Sequence, residues 1–279
     1  MRHPRNGAKH PLDGGSGSSL GSGSSSSSSS SSGDSGRPDR GWRGRALRVV
    51  VPAAAVVLVG AVVAAWALLQ PHVEHNEPAG RPVVAFVGNS FTGGSEMDSG
   101  ASSRWPAIVS KKLHVSDTVI TAGSSGYVHP GVGLATFGDL AKKVPHDAAA
   151  VVILGSDDDA SEPYDQIKDA ALATFATIRR DAPHARILVI ATFWVDSTPP
   201  EGILTSRDAV RDAAAEAHLT FADPIAGGWL VADPSVTIGA DGLHPTDAGH
   251  AELAQHIEPV LAALLKTPAP SPSPSATAP

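Results

Sequence analysis

Uninterrupted apolar runs and helical patterns alternate along the chain from residue 83 onward. The runs at 83–87, 148–154 and 187–191 carry no charged side chain, which is typical of strands buried on both faces of a parallel sheet. Shorter segments at 118–121 and 219–222 predict two more strands. Apolar residues at helical spacing predict these helices: 103–113, 137–143, 164–178, 203–217 and a last one that follows Thr246 as its N-cap.

This alternation of strand and helix predicts an α/β domain with a mainly parallel sheet. We expect the domain to span residues 81–265, which is an ordinary size for one hydrophobic core. Residues 70–80 contain Pro and Gly and predict a linker. Residues 1–48, rich in Ser and Gly, and residues 266–279, rich in Pro, Ser and Ala, predict disordered tails.

Residues 49–69 show a different pattern, because none of these 21 residues is charged. A helix formed by this segment would have no polar face. At the rise of an α-helix, this length matches the roughly 30 Å hydrocarbon core of a bilayer. Trp42 and Trp66 lie near the two ends, as interfacial aromatic residues do. The segment predicts one transmembrane helix. A signal peptide cleaved near 65–67 is the alternative, but the run exceeds the roughly 7–15 apolar residues typical of one, which favours an uncleaved signal anchor.

Charge predicts the orientation of this segment. Residues 1–48 carry eight Lys and Arg against three Asp and Glu, whereas the rest of the chain carries 13 against 25. The positive-inside rule therefore predicts a single-pass protein of the cell membrane with a cytoplasmic N-terminus and an extracytoplasmic domain. The acidic exterior argues against a nucleic-acid partner, which would need a basic face. Zero cysteines exclude disulfides, thiol catalysis and cysteine-based zinc sites.

Four polar turns carry the candidate chemistry, at 88–90, 123–126, 155–158 and 241–244. Loops that follow the strands of a doubly wound sheet converge on one edge, so we expect these turns to meet. The hydroxyl of Ser90 becomes a nucleophile only when an imidazole takes its proton, and that imidazole needs a carboxylate on its other nitrogen. His244 and Asp241, three residues apart before the last helix, can supply both groups.

The remaining polar groups are less specific. The backbone N–H groups of Ser90 and Gly126 are candidate donors to an oxyanion. The acidic run 157–159 is expected to be solvated rather than to bind a cation. The histidines show no metal-ligand spacing, so the sequence predicts neither a metal nor an organic cofactor.

Taken in order, these motifs resemble the SGNH, or GDSL-type, hydrolases over most of residues 83–264. The motifs are Gly-Asn-Ser at 88–90, the glycine at 126, Gly-x-x-Asp at 155–158 and Asp-x-x-His at 241–244. The resemblance implies a three-layer flavodoxin-like fold with a five-stranded sheet. It also implies Ser90 as nucleophile, His244 as base and Asp241 as its orienting partner. The oxyanion hole would use Ser90, Gly126 and the residue at position 157.

Two residues depart from the pattern of that family. Asn89 stands where the family commonly has Asp, and Asp157 stands where it has an Asn whose amide donates to the oxyanion. An ionised carboxylate cannot donate and would repel the oxyanion. Three explanations remain open: Asp157 is protonated, Ser156 substitutes for it, or the enzyme is slow.

The sequence therefore predicts a membrane-anchored extracytoplasmic serine esterase that hydrolyses lipid or carbohydrate O-acyl esters through an acyl-enzyme. The expected partners are a small-molecule or cell-envelope ester and the membrane. Transfer of the acyl group to a sugar hydroxyl instead of water is a variant of this predicted reaction. The alternative class is a non-catalytic cell-envelope binding module with a degenerate site, which Asp157 favours. The acyl chain, the leaving group and the oligomeric state are left open by the sequence.

Overall fold

The computed structural model describes residues 70–76, 80–155 and 157–270. The predicted N-terminal tail (1–48), the predicted transmembrane helix (49–69) and most of the predicted C-terminal tail lie outside these residues. Among the described residues, no helix combines the length and the apolar character needed to cross a membrane.

Six strands form one sheet in the described part of the chain. They are β1 (His72–Asn76), β2 (Val83–Gly88), β3 (Ser116–Thr121), β4 (Ala150–Leu154), β5 (Arg186–Ile190) and β6 (Thr220–Ala222). The sheet order is β1-β3-β2-β4-β5-β6. Strands β2 to β6 are parallel to one another, and β1 pairs antiparallel with β3. The five parallel strands therefore have the flavodoxin-like order, as the family resemblance implied.

The described sheet has six strands where five were predicted, and β1 is the additional strand. Its sequence, His-Val-Glu-His-Asn, lies in the segment for which Pro and Gly predicted a linker, and only Val73 is a large apolar residue. The strand pairs from His72 opposite Thr121 to Asn76 opposite Asp117, at the edge of the sheet. Edge strands commonly carry charged and polar side chains, which removes the apolar pattern that makes a strand recognisable in sequence.

Helices cover both faces of the sheet and complete the three layers. They are α1 (Ser90–Gly93), α2 (Trp105–Leu113), α3 (Phe137–Ala141), α4 (Tyr164–Asp181), α5 (Glu201–Glu216), α6 (Pro234–Thr237) and α7 (Asp247–Leu265). Residues of α3, α4 and α5 pack in one buried cluster with the sheet, and residues of α2 and α7 pack in a second one. The predicted N-cap is confirmed, since Thr246 Oγ1 accepts a hydrogen bond from the Gly249 N–H at 3.2 Å. The four-residue helices α1 and α6 were not predicted.

The register of the central strands positions the site. Gly88, the last residue of β2, pairs with Leu154, the last residue of β4. On its other side Gly88 pairs with Thr121, the last residue of β3. The turns that follow these three strands therefore begin side by side at the carboxyl edge of the sheet, where ligands of such folds bind.

His250 joins the last helix to α2 in the second buried cluster. Its ring is fully buried, and its Nδ1 accepts a hydrogen bond from the Trp105 N–H at 3.4 Å. Its Nε2 lies 3.7 Å from Asp98 Oδ2. Burial lowers the pKa of His250 to about 4, against the opposing effect of the Asp98 charge. His250 is therefore neutral in the folded protein at neutral pH.

We predict that this histidine destabilises the fold in mild acid. The unfolded chain takes up a proton on His250 below pH 6.5 and the folded chain does not, so stability falls as the pH drops from 6.5 towards 4. The loss between pH 7 and pH 5 is on the order of 2 kcal/mol. Urea unfolding at both pH values measures it for the wild type and for His250→Gln. An equal pH dependence in the two proteins would contradict the prediction.

Candidate active site

The first turn of the site holds Ser90 at the rim of the sheet. Gly88 is required there, because a Cβ atom at this position would lie 2.3 Å from Thr92 Oγ1 and 2.7 Å from the Leu154 carbonyl oxygen. Asn89 Oδ1 then accepts a hydrogen bond from the Phe91 N–H at 3.0 Å and caps α1. Ser90 is the first residue of that helix, so its N–H belongs to a turn whose donors have no partner within the helix.

The second turn presents His244 from the loop between α6 and α7. Asp241 Oδ1 accepts hydrogen bonds from the N–H groups of Leu243 and His244, each at 3.0 Å. Gly242 adopts the left-handed region with φ of 74°, which a side chain would oppose. The ends of the loop are tied together, since the Gly239 N–H donates to the His244 carbonyl at 2.8 Å. The local backbone therefore fixes His244 and Asp241 relative to each other.

The structure brings the three predicted catalytic residues together. Ser90 Oγ lies 2.9 Å from His244 Nε2, and His244 Nδ1 lies 2.7 Å from Asp241 Oδ2. The imidazole ring also contacts Phe91 edge to face, with a centroid distance of 5.9 Å. This geometry allows His244 to take the proton of Ser90 while Asp241 stabilises the imidazolium that results.

Asp241 is suited to that role because it is ionised. Loss of hydration alone would raise its pKa, but hydrogen bonds from Leu243 and His244 outweigh this effect and lower the pKa below its ordinary value. A carboxylate on Nδ1 fixes the tautomer in which Nε2 is free to accept a proton.

The third turn places two carboxyl groups against Asn89. A short 3₁₀ turn, Asp157–Asp159, follows β4. Asn89 Nδ2 donates to Asp157 Oδ1 at 2.7 Å and to Asp158 Oδ2 at 2.8 Å. Burial, and then repulsion from Asp158, raises the pKa of Asp157 to about 7. Burial also raises the pKa of Asp158, with Asp159 acting in the same direction and the hydrogen bond from Asn89 opposing the rise.

Comparison with known proteins identifies the family of the chain. A sequence model of the GDSL-like lipase/acylhydrolase family matches residues 86–252. The chain belongs to this family. The GDSL lipase Rv0518 of Mycobacterium tuberculosis is 37% identical over 187 residues, which cover 64% of this chain and 80% of the relative.

Solved structures show the same fold at low sequence identity. A family two carbohydrate esterase from Cellvibrio japonicus aligns with a TM-score of 0.56 at 14% identity, over 67% of this chain and 63% of the esterase. The salicylyl-acyltransferase SsfX3 from a tetracycline biosynthetic pathway aligns with a TM-score of 0.54 at 16% identity, over 69% of this chain and 57% of that protein. At these identities the GDSL-type chain shares the fold with them, and the likeness says nothing about substrate.

Asp159 is a structural residue of the GDSL-type site that the sequence did not identify. Its side chain is fully buried and accepts hydrogen bonds from three consecutive backbone N–H groups, those of Tyr127, Val128 and His129, at 2.7–3.0 Å. The expectation that the whole acidic run is solvated is therefore wrong for Asp159. Nothing in the local sequence distinguishes it from its two neighbours, because its partners lie about 30 residues earlier.

Gly126 packs directly against the carboxylate of Asp159. A Cβ atom at position 126 would lie 2.3 Å from Asp159 Oδ1, so only glycine allows the close approach. The Gly126 N–H donates to the His129 carbonyl at 2.9 Å, and it would have to leave that bond to reach an oxyanion. Ser156, the other residue considered for that role, lies outside the described residues.

The described residues contain no group of three or more His, Cys, Asp or Glu side chains arranged to hold a metal ion.

We predict that Asp159→Asn destabilises the domain. The amide keeps one acceptor oxygen but turns an N–H group toward backbone donors, and each buried donor left without a partner costs about 1–3 kcal/mol. We therefore expect a loss on the order of 3 kcal/mol, measured by urea unfolding. Asp169→Asn, at an exposed position on α4, is the matched control and should change stability little. A loss no larger than that of the control would contradict the structural role of Asp159.

Proposed function

We propose that this chain is a serine esterase that hydrolyses carboxylic esters of lipids or carbohydrates through an acyl-enzyme. The observation that carries the proposal is the pair of hydrogen bonds on His244, with Ser90 Oγ on one nitrogen and Asp241 Oδ2 on the other. Membership of a family of lipases and acylhydrolases supports the reaction type. The curated relative is itself named a lipase.

The reaction follows from the positions of these groups. Ser90 Oγ attacks the ester carbonyl carbon while its proton passes to His244 Nε2. The resulting oxyanion collapses, the bond to the alcohol breaks, and the imidazolium returns the proton to the departing alcohol. Water then attacks the acyl-Ser90 ester with His244 again acting as base, which releases the acid and restores the Ser90 hydroxyl.

A binding module without catalytic activity is the competing function, and one observation favours it. When Asp157 is ionised it offers no donor and places a negative charge beside Asn89, next to the nucleophile. Removal of one oxyanion donor typically costs about 100–1,000-fold in turnover. The intact contact between Ser90 and His244 favours the enzyme, because a binding role would not require an imidazole aligned on a hydroxyl.

We further propose that the domain acts outside the cytoplasm, anchored by one transmembrane helix at residues 49–69. The 21 uncharged residues and the excess of basic residues before them support this location. The ester substrate would then belong to the cell envelope or to the surrounding medium.

The first prediction concerns the nucleophile. A fluorophosphonate probe should label the wild-type protein, and Ser90→Ala should abolish both labelling and ester hydrolysis. Asp241→Asn should retain Ser90 but lose about 10⁴-fold in turnover, because the imidazole loses its orienting charge. Ser102→Ala, which changes an exposed serine, is the control and should behave as wild type. Labelling that persists in Ser90→Ala would refute the proposed mechanism.

The second prediction concerns location. In cells that express the full chain, we expect the protein in the membrane fraction and the domain to be digested by protease added to intact protoplasts. A shorter protein in the medium would indicate a cleaved signal peptide instead. Protection of the domain from external protease would refute the proposed orientation.

A further inference from the structure

We propose that the carboxyl edge of the sheet lies against the bilayer, and that Leu134, in the loop after β3, inserts into the membrane interface on the same edge as Ser90. This inference rests on the proposed transmembrane anchor and adds a lipid-contact surface to the domain. It does not depend on the proposed acyl-enzyme chemistry.

Strand β1 fixes the edge at which the chain enters the sheet. It runs antiparallel to β3, and its first residue, His72, pairs with Thr121, the last residue of β3. Thr121 also pairs with Gly88, the last residue of β2, which lies two positions before Ser90. The chain therefore enters at the carboxyl edge, about two strand spacings, or roughly 10 Å, from the strand end that leads to the nucleophile.

The connection between the proposed anchor and this edge is short. The uncharged segment ends at residue 69, three positions before His72. An extended chain spans at most about 3.6 Å per residue, so roughly 10 Å separates the end of the anchor from β1. This tether keeps the carboxyl edge, with the turns that carry Ser90 and His244, close to the bilayer.

The exposed large apolar side chains of the described residues lie on this same edge. There are three of them, Val132, Leu134 and Val236. The Val132 N–H donates to the carbonyl of Gly123, two residues after β3, at 2.9 Å. The Val236 carbonyl accepts from Oγ1 of Thr246, the N-cap of α7, at 2.7 Å. Single exposed apolar residues are normal on a protein surface, so the informative observation is the edge that they share.

Leu134 is held outward by an ordered loop. Its N–H donates to the Gly131 carbonyl at 2.9 Å, and the Gly131 N–H donates to the Ala135 carbonyl at 3.0 Å. Leu134 adopts the left-handed region with φ of 58°, and 82% of its surface is exposed. This conformation is unfavourable for leucine, and the side chain gains no burial within the domain in return. The membrane interface would supply that burial.

The charge of this edge indicates what kind of contact it can make. Asp196, in the loop after β5, and Asp233 and Asp241, on either side of α6, are all exposed. Their charges oppose attraction to anionic lipids. The contact must therefore depend on burial of apolar side chains, and salt should not weaken it.

The experiment uses the absence of cysteine from the chain. Leu134→Cys gives the full-length protein a unique thiol, which is labelled with the fluorophore NBD. The protein is placed in phosphatidylcholine nanodiscs at one copy per disc, which excludes contact with a second copy. We expect NBD emission to shift to the blue and to be quenched by nitroxide-labelled lipid, equally in 0.1 M and 1 M NaCl. Lys112→Cys, at an exposed position near the end of α2 that leads into the amino end of β3, is the control and should show neither effect.

A second measurement tests whether Leu134 serves the domain itself. Asn tolerates the left-handed region better than Leu, so Leu134→Asn should unfold at the same urea concentration as the wild type or at a higher one. A loss of stability would mean that the leucine packs within the domain, and would overturn the inference.

The outcomes separate this inference from the proposed anchor. A full-length chain that does not sediment with membranes would overturn the anchor. An anchored chain whose probe at position 134 is not quenched would overturn only the contact of Leu134 with lipid. A blue shift without quenching by nitroxide lipid would place the probe against protein, and quenching that disappears in 1 M NaCl would show an electrostatic contact. Either result would also overturn the inference.

Discussion

The proposed chemistry depends on one hydrogen bond, the contact of 2.9 Å between Ser90 Oγ and His244 Nε2 across 154 positions of sequence. Each partner is held by its own surroundings. Ser90 is fixed by the turn that Gly88 permits and Asn89 caps, and His244 is fixed by the carboxylate of Asp241. Because the two turns are ordered independently, the fold delivers both groups in place and little ordering remains for the reaction step.

The three aspartates of the turn after β4, Asp157–Asp159, have different surroundings. Asp159 points inward and fixes the loop after β3 through three backbone N–H groups. Asp157 and Asp158 both accept hydrogen bonds from Asn89, the residue before Ser90. The inward carboxylate therefore anchors the turn that carries the other two acids.

The fold could be predicted largely because its core strands and long helices repeat simple patterns. The buried strands β2, β4 and β5 and the amphipathic helix α4 lie where the apolar periodicity placed them, within a few residues at their ends. Strand β1 was not predicted because an edge strand can carry polar side chains on both faces and then lacks the apolar pattern of a buried strand. Ser90, His244 and Asp241 could be predicted from motifs, since each motif is local. The role of Asp159 could not, because it is defined by backbone groups about 30 residues away.

Position 157 shows why a residue cannot be judged from its own identity. Taken alone, an acid in place of an amide removes a donor and damages the site, whereas Asn89 in place of an acid looks harmless. The structure joins the two positions by a hydrogen bond of 2.7 Å, so the amide lost at one end is present at the other. The charge of Asp158 favours the protonated form of Asp157, whereas the N–H that Asn89 donates favours the ionised form. The protonation of this carboxyl group is therefore set by Asn89 and Asp158, and its effect on the site follows from these neighbours and not from its identity alone.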